Sequence, residues 1–154
     1  MYSPIHFALI GCGNIAAEHA TQITRVGKLV AVVDINLHRA KIFGDQYGVP
    51  FFETASALYA AVQHLDIVVI ATPNGLHAAQ AIEAMQAGYH VLVEKPIALL
   101  GADVLQMQNV SKQTGKQIFS VMQNRFNPPV KLIHELLQQQ VLGTIHHVQV
   151  NCFW

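Results

Sequence analysis

The stretch Phe7-Ala8-Leu9-Ile10-Gly11-Cys12-Gly13-Asn14-Ile15-Ala16 leaves few folds open to this chain. The uncharged run Ile5 to Ile10 has the character of a strand buried on both faces, and the glycines stand where it must turn sharply into a helix. Gly11 permits the tight turn, Gly13 lets the backbone come close to a pyrophosphate, and Ala16 takes the third small position, where helix packs on strand. The start of that helix offers unpaired N–H groups to phosphates. Eighteen residues after Ala16, Asp34 closes a second apolar run, Leu29 to Val33. A carboxylate there accepts hydrogen bonds from the adenosine ribose hydroxyls and repels a 2′-phosphate, so the unit reads as a dinucleotide site favouring NAD over NADP. Arg39 lies either near the adenine and ribose, which leaves room for NADP, or on a solvated helix face. Cys12 is either a small filler of the turn or a thiol with a lowered pKa at a helix start.

Strand and helix patterns alternate along the rest of the chain, which predicts an α/β fold, a doubly wound parallel sheet of Rossmann type. Strands are expected near 5–10, 28–34, 49–52, 66–71, 90–94 and 117–122. Helices are expected at 14–26, 37–47, 54–63, 76–87 and 102–114, with Gly48, Gly88 and Gly115 at three of the ends. Ligands of such sheets bind beyond the carboxyl ends of the strands, so Gly11 to Ile15, Asp34, Thr72 to Asn74 and Glu94 to Pro96 are expected to line one crevice. After Gln123 the pattern changes: a turn-rich joint, 124–129, precedes an amphipathic helix from Val130 to Val141, closed by Gly143. Ile145 to Trp154 then alternates like a strand without a partner. The organisation expected is a dinucleotide-binding domain over 1–123 and the truncated start of a second α+β domain over 124–154, the front of a longer protein. The last strand is expected to be disordered or to pair with another copy.

Nine basic and nine acidic residues balance, and no Lys/Arg cluster appears, which argues against nucleic acid as a partner. The apolar runs are strand-sized, far short of the ~20 residues that span a bilayer, and the N-terminus lacks a basic signal region. The expectation is a cytoplasmic protein with no membrane partner. Cys12 and Cys152 suggest neither a disulfide framework nor a zinc pattern. His6, His19, His38, His64, His90, His134, His146 and His147 show no ligand spacing on a common helix face, so no metal is expected. His19 sits near the cofactor helix or at the surface.

Three groups then carry the chemistry: Gly11-Cys12-Gly13-Asn14-Ile15, Ala71-Thr72-Pro73-Asn74 with His77, and Glu94-Lys95-Pro96. In this order and spacing the chain resembles the Gfo/Idh/MocA oxidoreductase family over essentially its whole length. The resemblance implies a Rossmann domain followed by a larger open-sheet domain, and NAD(P)-dependent hydride transfer to or from CH–OH groups of sugars and cyclitols. It implies a homo-oligomer for the full-length protein. It also implies a cis Lys95–Pro96 peptide and a histidine or aspartate in the second domain, so the present chain alone is expected to be inactive.

Hydride removal from an alcohol needs a group that takes or polarises the hydroxyl proton, and a lysine with a lowered pKa does either. Lys95 is that candidate, the alternative being a structural ion pair with Glu94. Glu94 contacts the nicotinamide ribose or stands in solvent. Thr72, Pro73 and Asn74 form a turn on the nicotinamide side, although Asn74 can equally be a helix N-cap. His77 either lines the site or packs. The joint Gln123-Asn124-Arg125-Phe126-Asn127-Pro128, with the terminal Val148 to Trp154, is similar to the subgroup that oxidises the 3-hydroxyl of UDP-N-acetylglucosaminuronate in surface-polysaccharide biosynthesis. Arg125 suits a carboxylate or pyrophosphate of such a nucleotide sugar, or packs across the joint. Other readings are a different sugar or inositol dehydrogenase of the family, and a non-catalytic NAD(H)-binding regulatory module.

Overall fold

The computed structural model describes residues 3–151, which fall into two compact units divided between Val121 and Met122. In the first, strands β1 (Ile5–Ile10), β2 (Gly27–Val33), β3 (Phe51–Phe52), β4 (Ile67–Ile70), β5 (His90–Val93) and β6 (Ile118–Ser120) form one sheet in the order β3-β2-β1-β4-β5-β6. Every neighbouring pair is parallel, so each connection must cross back over a face of the sheet. Helices α1 (Ala16–Val26), α2 (Leu37–Tyr47), α3 (Ala55–Ala61), α4 (His77–Gln86) and α5 (Gly101–Thr114) make those crossings.

The strands are uniformly apolar because both faces are covered. Along β1, Phe7 and Leu9 point to one core with Ala16, Ala20 and Ile23 of α1 and Phe43 of α2, while Ala8 and Ile10 point to the other. That second core also holds Leu58 of α3, Ala81, Ala84 and Met85 of α4, and Met107 and Val110 of α5. Local signals set the helix starts: Asn36 caps α2 by accepting the Arg39 N–H at 3.1 Å, and Thr54 caps α3 by accepting the Ala57 N–H at 3.2 Å. The expected strands and helices of this unit are all present. Their ends are shorter in several cases, most clearly β3, whose ladder with β2 joins only Phe51 to Val32 and Phe52 to Val33.

The second unit holds a short 3-10 turn, Gln123–Phe126, and helix α6, Pro128–Gln138. The helix begins two residues before the expected Val130 because both prolines fit the first turn, where no N–H is required of them. It ends earlier than Val141, and Gln140 takes a positive φ of 56° just beyond it. The expected strand from Ile145 is absent over the described residues 145–151. Alternation alone does not form a strand, since the ladder needs a second edge to satisfy its N–H and C=O groups. Cys152, Phe153 and Trp154 lie outside the described residues.

Candidate functional site

The sheet order reverses direction between β1 and β4, and the carboxyl ends of β2, β1, β4 and β5 bring the expected residues to one edge. Backbone bonds fix their relative positions: Gly11 N–H donates to Val33 O (2.8 Å), Ala71 N–H to Ile10 O (2.8 Å) and Glu94 N–H to Ile70 O (3.0 Å). Gly11 has φ +97° and lies against the turn after β4; a Cβ on it would stand 2.6 Å from Ala71 O. Around Gly13, in contrast, an added Cβ meets nothing within 4 Å. Gly13, Asn14 and Ile15 are exposed, and among the described residues their N–H groups have no hydrogen-bond partner. Three free donors at the start of an eleven-residue helix form a cradle for an anion, aided by the helix dipole.

Asp34 is 7 % exposed, and its carboxylate closes the loop from the other side. Oδ2 accepts the Cys12 N–H at 2.9 Å, and Oδ1 accepts the Asn36 N–H at 2.8 Å. An ionised carboxylate has about four acceptor directions, so capacity for ribose hydroxyls remains. The Arg39 guanidinium stands 3.7 Å from Oδ2 with its side chain more than half exposed, so it faces both Asp34 and solvent. Burial pushes the Cys12 thiol up to about 12, the Asp34 charge adding to the shift and Arg39 opposing it. That corrects the alternative of a lowered thiol pKa: the helix start does not offset desolvation here, and Cys12 is a small, protonated filler.

After β4, the Thr72 hydroxyl donates to Gln80 Oε1 at 2.6 Å, while Pro73 and Asn74 are exposed in the turn that opens into the 3-10 segment Asn74–Leu76. The Asn74 side chain caps no helix, because α4 is preceded by Leu76 without a side-chain cap; its amide is free among the described residues. His77 is completely buried. Its Nδ1 lies 2.7 Å from Pro96 O and its Nε2 2.8 Å from Thr72 O; a neutral ring donates to one of them and a protonated ring to both. His77 thus ties the turn after β4 to the turn after β5, with no ring surface left for a ligand in this geometry.

The Lys95–Pro96 peptide is cis. Glu94 is 7 % exposed, which corrects the reading of a carboxylate standing in solvent. Its Oε1 accepts from His19 Nε2 at 2.8 Å, and its Oε2 accepts the Lys95 backbone N–H at 3.0 Å. With both oxygens engaged, the carboxylate makes no ion pair with the Lys95 ammonium, so the structural alternative for Lys95 is not formed either. Lys95 and Pro96 are exposed, and the lysine side chain has no ion-pair partner among the described residues.

His19, left open between the neighbourhood of the cofactor helix and the surface, is largely buried against Glu94, a contact that sequence reading did not find. The signal was its position one turn after Ala16 on α1, beside the buried positions Ala16, Ala20 and Ile23. Arg125 belongs to the second unit, exposed in the 3-10 turn, where with Phe126, Lys131 and His134 it borders a cleft of about 400 Å³. At the amino ends of the strands a separate cleft of about 630 Å³ carries His6, His64, Asp66 and His90. Among the described residues no His/Cys/Asp/Glu group is arranged to hold a metal ion, and no helix is long and apolar enough to cross a membrane.

The family model described as "Oxidoreductase family, NAD-binding Rossmann fold" matches residues 5–122. D-glucoside 3-dehydrogenase of Escherichia coli is 32 % identical over 148 residues, 94 % of this chain and 42 % of that protein. Glucose-6-phosphate 3-dehydrogenase of Bacillus subtilis is 30 % identical over 93 % of this chain and 41 % of its own length. Among solved structures, the WlbA dehydrogenase of Bordetella pertussis in complex with NADH and UDP-GlcNAcA superimposes with a TM-score of 0.87 at 35 % identity, over 93 % of this chain and 42 % of that one. The chain spans less than half the length of these relatives.

Proposed function

The chain belongs to the Gfo/Idh/MocA oxidoreductase family, as an NAD-binding Rossmann domain, and from that premise we propose that it serves a dehydrogenase acting on the 3-hydroxyl of UDP-N-acetylglucosaminuronate. The observation that carries a catalytic reading is Lys95: an exposed side chain with no ion-pair partner among the described residues, held at the carboxyl end of β5 on the same edge as the free N–H groups of Gly13, Asn14 and Ile15. A module that only sensed NAD(H) would have no use for a base at that position.

Bound NAD supplies the hydride acceptor. The open backbone of the Gly11-Cys12-Gly13-Asn14-Ile15 loop suits its pyrophosphate, and Asp34 suits its adenosine ribose. Thr72, Pro73 and the free amide of Asn74 border the nicotinamide side, with His77 holding that turn against Pro96. With Lys95 as the neutral amine, its nitrogen would take the proton of the substrate hydroxyl and become the ammonium as the hydride leaves the carbinol carbon, and Glu94 fixes the backbone from which Lys95 projects. Arg125 is assigned to the carboxylate or pyrophosphate of the nucleotide sugar, since a guanidinium binds either with two parallel N–H bonds.

The nucleotide-sugar reading is supported by the ligands of the WlbA structure and by the segment from Gln123 to Pro128. A second reading, oxidation of a simple glucoside at the same carbon, is favoured by the 32 % identity to D-glucoside 3-dehydrogenase. The two separate in a turnover assay of the full-length protein with NAD. The expected result is NADH formation with UDP-N-acetylglucosaminuronate at a kcat/KM at least about tenfold above that for glucosides, glucose 6-phosphate or myo-inositol, a difference of about 1.4 kcal/mol in transition-state binding. A glucoside preferred by the same factor would replace the first reading with the second.

A further inference from the structure

We infer that His19, on the cofactor helix α1, is a positioning residue that holds Lys95 in place through Glu94. The inference rests on the proposed role of Lys95, but the linkage itself is a matter of geometry. Glu94 is the point at which two parts of the site meet. One oxygen takes the His19 Nε2–H at 2.8 Å, and the other takes the Lys95 N–H at 3.0 Å. The pair is largely out of water, with side-chain exposures of 12 % for His19 and 9 % for Glu94. In such surroundings a charge-assisted bond is both strong and directional.

A carboxylate buried without a donor on one oxygen would turn towards any alternative, either solvent or the nearby Lys95 ammonium. Both movements would take Oε2 away from the Lys95 N–H. His19 supplies the missing donor and leaves the ammonium unpaired. Its own position is set by α1, whose buried residues Ala16, Ala20 and Ile23 pack against the sheet directly after the glycine turn. The helix that begins at the phosphate cradle therefore also fixes the peptide of the candidate base, across 75 residues of sequence. A displacement of α1 on dinucleotide binding would be felt at Lys95 without any contact between cofactor and lysine.

The test compares His19→Leu, which fills the space without a donor, with His19→Gln, whose amide reaches a similar point. Glu94→Gln, with one acceptor oxygen in place of two, is the second variant. Amide hydrogen exchange at Lys95 is read by NMR, with the amides of β1 and β4 as internal controls for folding, and NADH affinity and hydride-transfer rate are measured alongside. The expected result is exchange at Lys95 faster by about tenfold in His19→Leu and Glu94→Gln, as loss of one hydrogen bond to a charged group implies. Protection in β1 and β4 should stay within about twofold in both variants, NADH affinity should stay within about twofold in His19→Leu, and His19→Gln should lie near the parent. Hydride transfer should fall in step with the Lys95 exchange. Unchanged exchange at Lys95 in both His19→Leu and Glu94→Gln would overturn the inference, as would a His19→Gln variant indistinguishable from His19→Leu. If the exchange responds as expected but the full-length parent transfers no hydride with any sugar, the linkage stands and the catalytic reading of Lys95 falls.

Discussion

Gly11→Ala should destabilise the first unit by about 2–6 kcal/mol, the sum of about 1–3 for a non-glycine residue held at a sparsely populated φ and about 1–3 for overpacking. The φ of +97° is closed to most L side chains, and the added methyl would stand 2.6 Å from Ala71 O and 2.8 Å from Ala71 C, both backbone atoms of the turn after β4. Neither strand can yield, because Ala71 N–H donates to Ile10 O and Gly11 N–H to Val33 O. Against a typical stability of about 5–15 kcal/mol, a loss of this size is a large fraction of the total. Urea unfolding followed by circular dichroism measures it. Gly13→Ala provides the contrast: with nothing within 4 Å of the new methyl, stability should change by under about 1 kcal/mol, while dinucleotide binding weakens because the backbone is no longer bare at the cradle. Equal destabilisation by both would mean that the two glycines share one structural role.

Lys95→Met should lower kcat of the full-length enzyme by about 10²–10⁴-fold, the range for loss of a positioned general acid–base group. Methionine keeps most of the length and apolar stem of lysine. Since Lys95 is exposed and makes no ion pair among the described residues, the fold has little to lose. Its N–H bond to Glu94 is a backbone contact and survives the substitution. NADH affinity should therefore stay within about twofold, and the melting temperature should be close to that of the parent. A kcat near that of the parent would remove Lys95 from the chemistry.

Much of this architecture was legible because its signals are local. The run Ile5 to Ile10 with Gly11 and Gly13 gave the first strand and turn, and Gly48 and Gly115 marked the ends of α2 and α5. β3 was overestimated because strand length is decided by its neighbour: only Phe51 and Phe52 find partners on β2, whatever the apolar character of the residues before them. The same cause removed the strand expected from Ile145.

Within the site, residue types and their edge of the sheet were readable, but their connections were not. Glu94 was open between the nicotinamide ribose and solvent, with an ion pair to its neighbour Lys95 as the bland alternative; its partner His19 lies on α1, far away in sequence. His77 was open between lining and packing, and its two carbonyl partners, Thr72 and Pro96, come from turns that only the assembled sheet brings together. Asn74 had the residue type of an N-cap, yet the 3-10 segment displaces the helix start to His77, beyond its reach. Cys12 follows the same rule: it was open between a small filler and an activated thiol, and burial, with the Asp34 charge beside it, decides for the filler.

The account rests on a dinucleotide cradle whose acceptor side is set by Asp34, and direct titration of this chain with NADH and NADPH, followed by fluorescence, tests it most directly. The account predicts saturable NADH binding, with NADPH weaker by at least about tenfold, or 1.4 kcal/mol, because a 2′-phosphate would be brought against the buried Asp34 carboxylate. Absence of NADH binding, or NADPH bound as tightly, would contradict it, the second result by showing that Arg39 rather than Asp34 governs the ribose end of the site.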